Sequence, residues 1–208
     1  VAVDLVADAA SELGALGGSV SGAHLGIDRA ADGDRVLFPN RGPAEIVGFD
    51  GDTGAATTVS GDDVGDGPSF RAPSGVALDA AGDRLFVVDQ LDDRVVEVDL
   101  DAGDRVVVSG DGAGSGPNLS AVSGGAWDPV AGELYLNTGS PTDVVVAVDP
   151  ATGARSIVSD PDRGQGPSLG DSTGVDVLGD GVLLVSDRFR GGVYAVHVAS
   201  GDRVILAR

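Results

Sequence analysis

The feature that most constrains the fold is a glycine-rich stretch that occurs three times in the chain. "SGDDVGDGPSF" begins at Ser60, "SGDGAGSGPNL" at Ser109 and "SDPDRGQGPSL" at Ser159, at intervals of 49 and 50 residues. Self-similarity at a fixed period of roughly 20–50 residues is the sequence signature of a repeat architecture. We therefore predict that each stretch occupies the same position in successive copies of one structural unit.

A turn signature recurs with the same period. "DGDTG" begins at Asp50, "DLDAG" at Asp99 and "DPATG" at Asp149, and "HVASG" at His197 is a variant in which histidine replaces the aspartate. An aspartate that opens a turn accepts hydrogen bonds from backbone N–H groups, and the closing glycine adopts a positive φ. The signature predicts a tight turn between two strands in every copy.

Short valine-rich segments lie between these markers. The second copy contains "SGVALD" (74–79), "RLFVVD" (84–89), "RVVEVD" (94–99) and "DRVVVS" (104–109), which have the composition and length of β-strands. No apolar pattern of period 3.6 continues over the length of a helix. Four strands in a repeat of this length predict one blade of a β-propeller. The glycine-rich stretch then links two blades, and the absence of a following helix argues against a phosphate-binding loop.

The repeat predicts an all-β propeller of about four and a half four-stranded antiparallel blades. We expect one domain in which residues 1–18 form the outer hairpin of a preceding blade, followed by blades at 19–59, 60–109, 110–158 and 159–208. An incomplete ring exposes unpaired strand edges, which favour association. The chain is then a segment of a longer propeller or associates with other copies, unless its first residues fold differently.

The charge of the chain excludes some partners. All 13 basic residues are arginine, 29 of the 33 acidic residues are aspartate, and the net charge is −20. Such a charge disfavours nucleic acids and anionic membrane surfaces as partners. The acidity suits a high-salt environment, where repulsion is screened, or the gathering of divalent cations. A GC-rich genome would also favour arginine codons over lysine codons without selection on surface charge. These three interpretations of the charge remain open.

Cysteine usage and hydropathy add little about the location of the protein. The chain has no cysteine, which excludes disulfides and thiolate metal sites. No apolar run approaches the roughly 18 residues of a membrane span. The localisation is not determined by the sequence, although an extracellular or periplasmic location is favoured.

One repeat resembles a known family. Residues 67–99, "GPSFRAPSGVALDAAGDRLFVVDQLDDRVVEVD", resemble the NHL repeat and the wider six-bladed group that contains the gluconolactonase-like (senescence-marker) proteins. The shared elements are aromatic-x-x-Pro-x-Gly-x-x-x-Asp, a Gly-Asp turn, a strand that ends in Val-Asp, and Arg-Val at the start of the third strand. The resemblance implies, for the enzymes of this group, a divalent metal held in the channel by acidic or amide side chains at the starts of the inner strands. The matching positions here are Ala23, Ser74, Ser123 and Thr173, and hydroxyls are poor sole ligands for such a metal.

A ring of polar side chains at the mouth of the predicted channel is the candidate site. The second strands of the four copies end in Asn40, Asp89, Asn137 and Asp187, and His24 replaces a repeated glycine near the channel entrance. Convergent polar groups in a recess are typical of ligand sites, and the carboxylates of Asp89 and Asp187 suggest weak binding of Ca²⁺. Alternatively, each Asn or Asp caps a turn.

The sequence favours a non-enzymatic propeller, either a binding or interaction module or a building block of a larger assembly. It contains no Gly-x-Ser-x-Gly and no His-Glu-x-x-His motif, and we assign no catalytic residue. The expected partner is another protein or a second copy of the chain at an open blade edge. The alternatives are a metal-dependent lactonase or hydrolase of the gluconolactonase-like type and a repeat protein stabilised by calcium. We expect Trp127 to pack between blades, and Arg188 and Arg190 to bind an anion or to pair with surface carboxylates.

Overall fold

The structure is a computed structural model that describes residues 28–29, 35–79, 81, 83–139 and 143–207. These residues form sixteen β-strands and no α-helix. In the described ranges, no helix has the length and hydropathy that a membrane crossing requires. The predicted hairpin at 1–18 and His24 lie outside the described residues.

The strands follow one another in four groups of four. Blade 1 consists of β1 (Asp28–Arg29), β2 (Arg35–Asn40), β3 (Glu45–Asp50) and β4 (Ala56–Ser60). Blade 2 consists of β5 (Pro73–Asp79), β6 (Arg84–Asp89), β7 (Arg94–Asp99) and β8 (Arg105–Ser109). Blade 3 consists of β9 (Val122–Asp128), β10 (Glu133–Thr138), β11 (Val145–Val148) and β12 (Arg155–Ser159). Blade 4 consists of β13 (Ser172–Gly179), β14 (Val182–Asp187), β15 (Gly192–His197) and β16 (Arg203–Ala207).

Each group is one sheet whose strands pair antiparallel in chain order. The first strand of each blade is the inner strand, and consecutive blades pack through these strands: β5 lies against β1 and β2, and β9 lies against β5 and β13. The prediction of four-stranded antiparallel blades is confirmed. β6 and β7 have the bounds that the sequence predicts. Each is a valine-rich run between two turns, and these turns fix the residues at which the strand begins and ends.

Blades 2 and 3 bury both of their faces, so their strands are largely continuous apolar runs rather than alternating ones. We call the side toward the next blade in the chain the forward face and the other side the backward face. In β6, Leu85 and Val87 point backward into a core shared with blade 1. Phe86 and Val88 point forward into a core shared with blade 3. Trp127 packs there against Phe86, with ring centroids 5.3 Å apart, as predicted for a residue between blades.

The repeated glycine-rich stretches join consecutive blades through a buried arginine. Arg105, at the start of β8, reaches back to the linker that follows blade 1 and is 5% exposed. Its guanidinium donates hydrogen bonds to the Ser60 hydroxyl (3.0 Å) and to the carbonyl oxygens of Gly61 (2.8 Å), Val64 (2.8 Å) and Pro68 (2.9 Å). The dipoles of these neutral groups stabilise the buried charge. We call this arrangement an arginine junction.

The other two linkers contain the same junction. The guanidinium of Arg155 donates to the Ser109 hydroxyl (2.8 Å) and to the carbonyl of Pro117 (2.7 Å). That of Arg203 donates to the Ser159 hydroxyl (2.5 Å) and to the carbonyl of Pro167 (2.9 Å). The three junctions explain why the stretch recurs almost unchanged.

The glycines of the linker are required by a close approach of two backbones. Gly65 has a φ of +76°, and a Cβ atom on it would lie 2.0 Å from the carbonyl oxygen of Gly103. Gly114 and Gly164 repeat this contact, with corresponding distances of 1.9 Å to the carbonyl oxygens of Gly153 and Gly201. Any side chain at these positions would separate the linker from the next blade.

Candidate binding site at the channel mouth

The inner strands surround a central cavity of about 730 Å³, whose wall includes Val76, Trp127 and Val177. A second cavity of about 680 Å³ lies at the end where the inner strands begin, and we call it the channel mouth. All four blades contribute to it. Its lining residues include Arg41, Gln90, Ser123, Asp171, Thr173, Arg188 and Phe189.

Three turns place long polar side chains at equivalent points of the mouth. Arg41, Gln90 and Arg188 each follow the last residue of the second strand of their blade. Arg188 is exposed and donates to the Asp171 carboxylate at 2.5 Å, in agreement with the expected pairing to a surface carboxylate. Arg41 forms no ion pair with any described residue. The channel mouth thus carries the guanidinium groups of Arg41 and Arg188, although the chain as a whole is strongly acidic.

An aromatic side chain stands beside these polar groups. Phe189 is 80% exposed, although burying a phenylalanine side chain is worth about 2 kcal/mol or more. It lies in the turn between β14 and β15, next to Arg188 and Arg190. Exposed aromatic and arginine side chains are enriched at protein–protein contacts.

The two aspartates of the predicted ring hold the linkers that lead into their own blades. Asp89 is fully buried and accepts hydrogen bonds from the backbone N–H groups of Arg71 (3.1 Å) and Ala72 (2.7 Å). It also pairs with the guanidinium of Arg94 at 2.9 Å. Asp187 is 3% exposed and accepts from the backbone N–H of Gly170 at 2.6 Å. Both carboxylates therefore have a structural role at the base of the mouth.

The two asparagines of the predicted ring differ from each other. Asn40 is buried and donates through Nδ2 to the Glu45 carboxylate at 2.9 Å. Asn137 pairs with Val145 and Gly124 across the sheet, which is the register position of Val88 in blade 2. Thr138, rather than Asn137, therefore corresponds to Asp89, and the alignment expected from the sequence is wrong by one residue.

The one-residue shift turns Asn137 to the forward face. Its Nδ2 donates to the Ser123 hydroxyl (2.7 Å) and to the Ser172 carbonyl of blade 4 (2.6 Å). Thr138 occupies the ring position instead, where its hydroxyl accepts from the Val144 N–H at 3.1 Å. His24 lies outside the described residues, so the ligand-binding role of the five-residue set stays a prediction.

The hydroxyls at the starts of the inner strands connect neighbouring blades. Ser74 donates to the carbonyl of Ser123 at 3.2 Å, and Ser123 donates to the carbonyl of Ser172 at 3.3 Å. The hydroxyls of Thr173 and Ser186 are 3.3 Å apart. Ser74, Ser123 and Thr173 are the described positions at which the gluconolactonase-like resemblance implies metal ligands. Within the described part of the chain, no three His, Asp or Glu side chains converge as a metal site.

One carboxyl near the mouth has an altered acidity. Burial raises the pKa of Asp143, and the nearby carboxylates of Asp171 and Asp187 raise it further, against the opposing effect of the Ser172 N–H. The raised pKa means that the protonated form of Asp143 is favoured relative to that of an exposed aspartate.

Sequence reasoning identified the ring of strand-end residues but not the residues that line the mouth. Arg188 was singled out, whereas Arg41, Gln90 and Phe189 were not. The sequence feature that could have identified them is their position. Each of Arg41, Gln90 and Arg188 follows directly after the last residue of the second strand of its blade. This position differs between the blades while the linker stays the same, as expected for a site on a repeated scaffold.

Comparisons with known proteins agree with this architecture. No known protein family and no curated protein matches the sequence. The structure of the RRP9 WD40 repeats, which are propeller blades, superposes with a TM-score of 0.64 at 12% identity, over 90% of this chain and 53% of that chain. The chain has a β-propeller fold.

Two further structures are similar to this β-propeller. A chain of the nidogen/laminin complex has a TM-score of 0.58 at 18% identity, over 86% of this chain and 77% of that one. Hydrazine synthase of Kuenenia stuttgartiensis has a TM-score of 0.65 at 15% identity, over 93% of this chain and 53% of that one. The β-propeller thus spans about half the length of the hydrazine synthase and RRP9 chains. At these identities the similarity shows the fold alone.

Proposed function

We propose that this β-propeller is a non-enzymatic interaction module that binds a protein partner at the channel mouth. The observation that carries the proposal is the exposed Phe189 beside the guanidinium groups of Arg41 and Arg188 in a recess of about 680 Å³. Aromatic and arginine side chains in a concave, partly desolvated setting dominate the binding energy of many protein interfaces. The nidogen/laminin structure, in which a chain has this fold, is itself a complex between proteins.

The surrounding polar groups support a binding role over a catalytic one. Asp89 and Asp187 accept hydrogen bonds from backbone N–H groups of the linkers, and both carboxylates are buried, which supports a structural role for them rather than proton transfer to a substrate. The resemblance of residues 67–99 supports placing the chain near the NHL and gluconolactonase-like group. Hydroxyls stand where that group of enzymes has acidic or amide metal ligands, which favours a non-enzymatic relative.

The proposal is tested by capture from an extract of the source cells on immobilised protein. The wild type, a Phe189→Ser/Arg41→Ser double variant and a Val130→Ser control are compared by quantitative mass spectrometry. Val130 is 95% exposed in the turn between β9 and β10, at the opposite end of the channel from the mouth, so it matches Phe189 as an exposed apolar side chain. We expect at least one protein to be retained by the wild type and the control and lost from the double variant.

Equal retention of every captured protein by all three baits would contradict binding at the mouth. Retention that the Val130→Ser control also loses would show a non-specific apolar contact instead. Crosslinks from the retained partner are expected to reach the turns that contain Gln90 and Arg188, rather than the linkers.

A further inference from the structure

The channel mouth differs in charge from the rest of this acidic chain. Its lining contains two guanidinium groups and one carboxylate, those of Arg41, Arg188 and Asp171, whereas the whole chain has a net charge of −20. The described lining of the central cavity has no arginine but has three carboxylates: Asp28, Asp79 and Asp176. The two ends of the channel therefore differ in charge, and the mouth is the end suited to an anionic group.

Arg41 carries the uncompensated charge of the mouth. It is half-buried, and its guanidinium makes no ion pair or hydrogen bond with a described residue. Glu45, the acidic residue that follows its turn, is already engaged through both carboxylate oxygens. Oε1 accepts from Nδ2 of Asn40 at 2.9 Å, and Oε2 accepts from the Thr58 hydroxyl at 2.9 Å. The donors of Arg41 are thus directed to a recess in which the described residues offer them no acceptor.

The other arginines at this end of the molecule have carboxylate partners. Arg188 donates to Asp171 through Nε at 2.9 Å and through Nη2 at 2.5 Å. Arg71 and Arg94, both in or next to blade 2, pair with Asp92 at 3.0 and 3.1 Å. One unpaired guanidinium matches a single negative charge. A group with several charges, such as a run of phosphates, is repelled more strongly by a chain of this net charge.

Gln90 adds a neutral hydrogen-bonding group to the recess. It is half-buried and lines the mouth from blade 2, the blade that packs against blade 1. Its side-chain amide makes no hydrogen bond with a described residue. An amide N–H and a guanidinium are both donors, and donors of this kind bind a carboxylate most strongly when one of them is charged.

The buried carboxylates at the base of the mouth have partners of their own. Asp89 pairs with Arg94 at 2.9 Å. Asp187 accepts hydrogen bonds from the backbone N–H groups of Gly170 at 2.6 Å and Arg190 at 2.7 Å. Neither aspartate belongs to the lining of the recess, so neither replaces an anionic ligand of Arg41.

Phe189 supplies the apolar part of the recess. A Cβ on Gly170 would lie 3.2 Å from Cδ1 of its ring, so the ring rests on the backbone of a glycine that itself lines the mouth. The rest of the side chain is exposed and is available for contact. The recess, at about 680 Å³, is about 11 Å across, the length of about three residues of extended chain.

We propose that the partner of the mouth presents an acidic peptide segment, in which a carboxylate pairs with Arg41 and a nearby apolar side chain packs on Phe189. This inference rests on the proposed function, because it names the chemistry of the group that the mouth binds. The carboxylate belongs to an aspartate or glutamate side chain or to a chain terminus. Repulsion from the distant acidic residues is screened beyond about 8 Å at physiological ionic strength, so the contact with Arg41 determines the affinity.

The probe is a displayed library of random peptides, selected on the wild type and then tested on three variants. Arg41→Gln removes the charge, Phe189→Ser removes the apolar surface, and Arg71→Gln is the control. Arg71 is exposed at the same end of the molecule but outside the lining, so the control removes the same charge. We expect the selected peptides to be enriched in acidic residues near an apolar one, and their retention by Arg41→Gln to be at least about tenfold below that by Arg71→Gln.

The outcomes separate this inference from the proposed function. Peptides that require Phe189 but are retained equally by Arg41→Gln and Arg71→Gln would overturn the inference and leave a binding site at the mouth. Selection of no peptide, or of peptides that neither mouth variant loses, would also overturn it. The capture of whole proteins described above needs no peptide and tests the proposed function independently.

A selected peptide then identifies the paired carboxylate. It is synthesised with a free and with an amidated C-terminus, and with each acidic residue replaced in turn by its amide. We expect one of these changes to weaken binding to the wild type at least about tenfold and to leave binding to Arg41→Gln nearly unchanged, because that variant has already lost the pair. Which change has this effect shows whether the carboxylate is that of a side chain or of a terminus. Equal losses on the wild type and on Arg41→Gln would overturn the pairing.

Discussion

The three arginine junctions and the open forward face of blade 4 are built from closely similar residues and differ in their surroundings. Ser60, Ser109 and Ser159 are completely buried because the next blade and its arginine cover them. Ala207, at the same strand position, is exposed. Leu206 and Val158 are both apolar, yet only Val158 is protected from solvent. In this protein the burial of a strand is decided by its neighbouring blade.

The comparison also separates two kinds of contact between blades. Each junction contains apolar packing together with an arginine whose hydrogen-bond partners are carbonyl and hydroxyl oxygens. This arginine is buried at positions 105 and 203 and half-buried at position 155. Within the described residues, no arginine is held in this way against the forward face of blade 4. Apolar packing is non-directional, whereas a guanidinium with several acceptors fixes one geometry. We infer that the junctions hold the blades in register.

The largest expected effect comes from removing the cation of one junction. Arg105→Ala leaves the Ser60 hydroxyl and buried carbonyl groups such as that of Gly61 without their donor, and each such group costs about 1–3 kcal/mol. We expect a loss of about 4 kcal/mol in the free energy of unfolding, measured with urea.

The matched control for this variant is Arg71→Ala. The guanidinium of Arg71 is exposed and pairs with Asp92 at 3.0 Å, and such surface pairs contribute about 0–1 kcal/mol. A similar loss for both variants would contradict a special role of the junction.

The second largest loss of stability is expected from adding a methyl group to a linker glycine that lies against the next blade. Gly114 and Gly112 belong to the same linker and have φ values of +72° and +78°. A Cβ on Gly114 would lie 1.9 Å from the Gly153 carbonyl oxygen, whereas a Cβ on Gly112 has nothing within 4 Å. We expect Gly114→Ala to cost about 3 kcal/mol, and Gly112→Ala about 1 kcal/mol from backbone strain alone. Thermal unfolding of the two variants measures the difference, and equal melting temperatures would show that the linker can move aside.

Acid is expected to weaken the turns that connect the two outer strands of each blade. The Thr53 N–H holds the pKa of Asp50 below its ordinary value of 3.8, and the Thr152 hydroxyl lowers that of Asp149. A carboxyl with a lowered pKa in the folded state stabilises it above the unfolded pKa, and this contribution disappears as the pH falls through the folded pKa. We expect the melting temperature to decrease as the pH is lowered below 3.8. This decrease should be less steep in the Asp50→Asn variant than in the variant of an exposed linker residue, Asp62→Asn. Identical slopes would contradict this assignment.

Salt is expected to stabilise the fold. At a net charge of −20, added salt screens the repulsion between carboxylates. The melting temperature of the wild type should rise between low and molar salt. A flat or falling profile would indicate that the acidity reflects genome composition.

The smallest expected effect is calcium binding at the mouth. Asp89 and Asp187 already accept hydrogen bonds, so an ion would share their remaining lone pairs and bind weakly, in the millimolar range. Calorimetric titration of Ca²⁺ into the wild type and an Asp89→Asn/Asp187→Asn variant measures this. Equal binding would place the ions in the acidic linkers.

The all-β repeat, the approximate strand boundaries and the turn chemistry are predictable from the sequence, because they follow from local preferences. The Asp-x-x-x-Gly turns and the valine runs specify them within a few residues. Trp127 was also predictable as a packing residue, from its position inside an inner strand. Local patterns of this kind need no knowledge of distant residues.

The arginine junctions, the register of Asn137 and the composition of the channel mouth depend on contacts between distant parts of the chain. Arg105 and Ser60 are 45 residues apart in the chain, and no local pattern reports a contact over such a distance. A shift of one residue in β10 moves Asn137 to the other face of its sheet, since side chains alternate along a strand. The mouth joins Arg41, Gln90 and Arg188 from three blades, and only the packing of one sheet on the next brings them together.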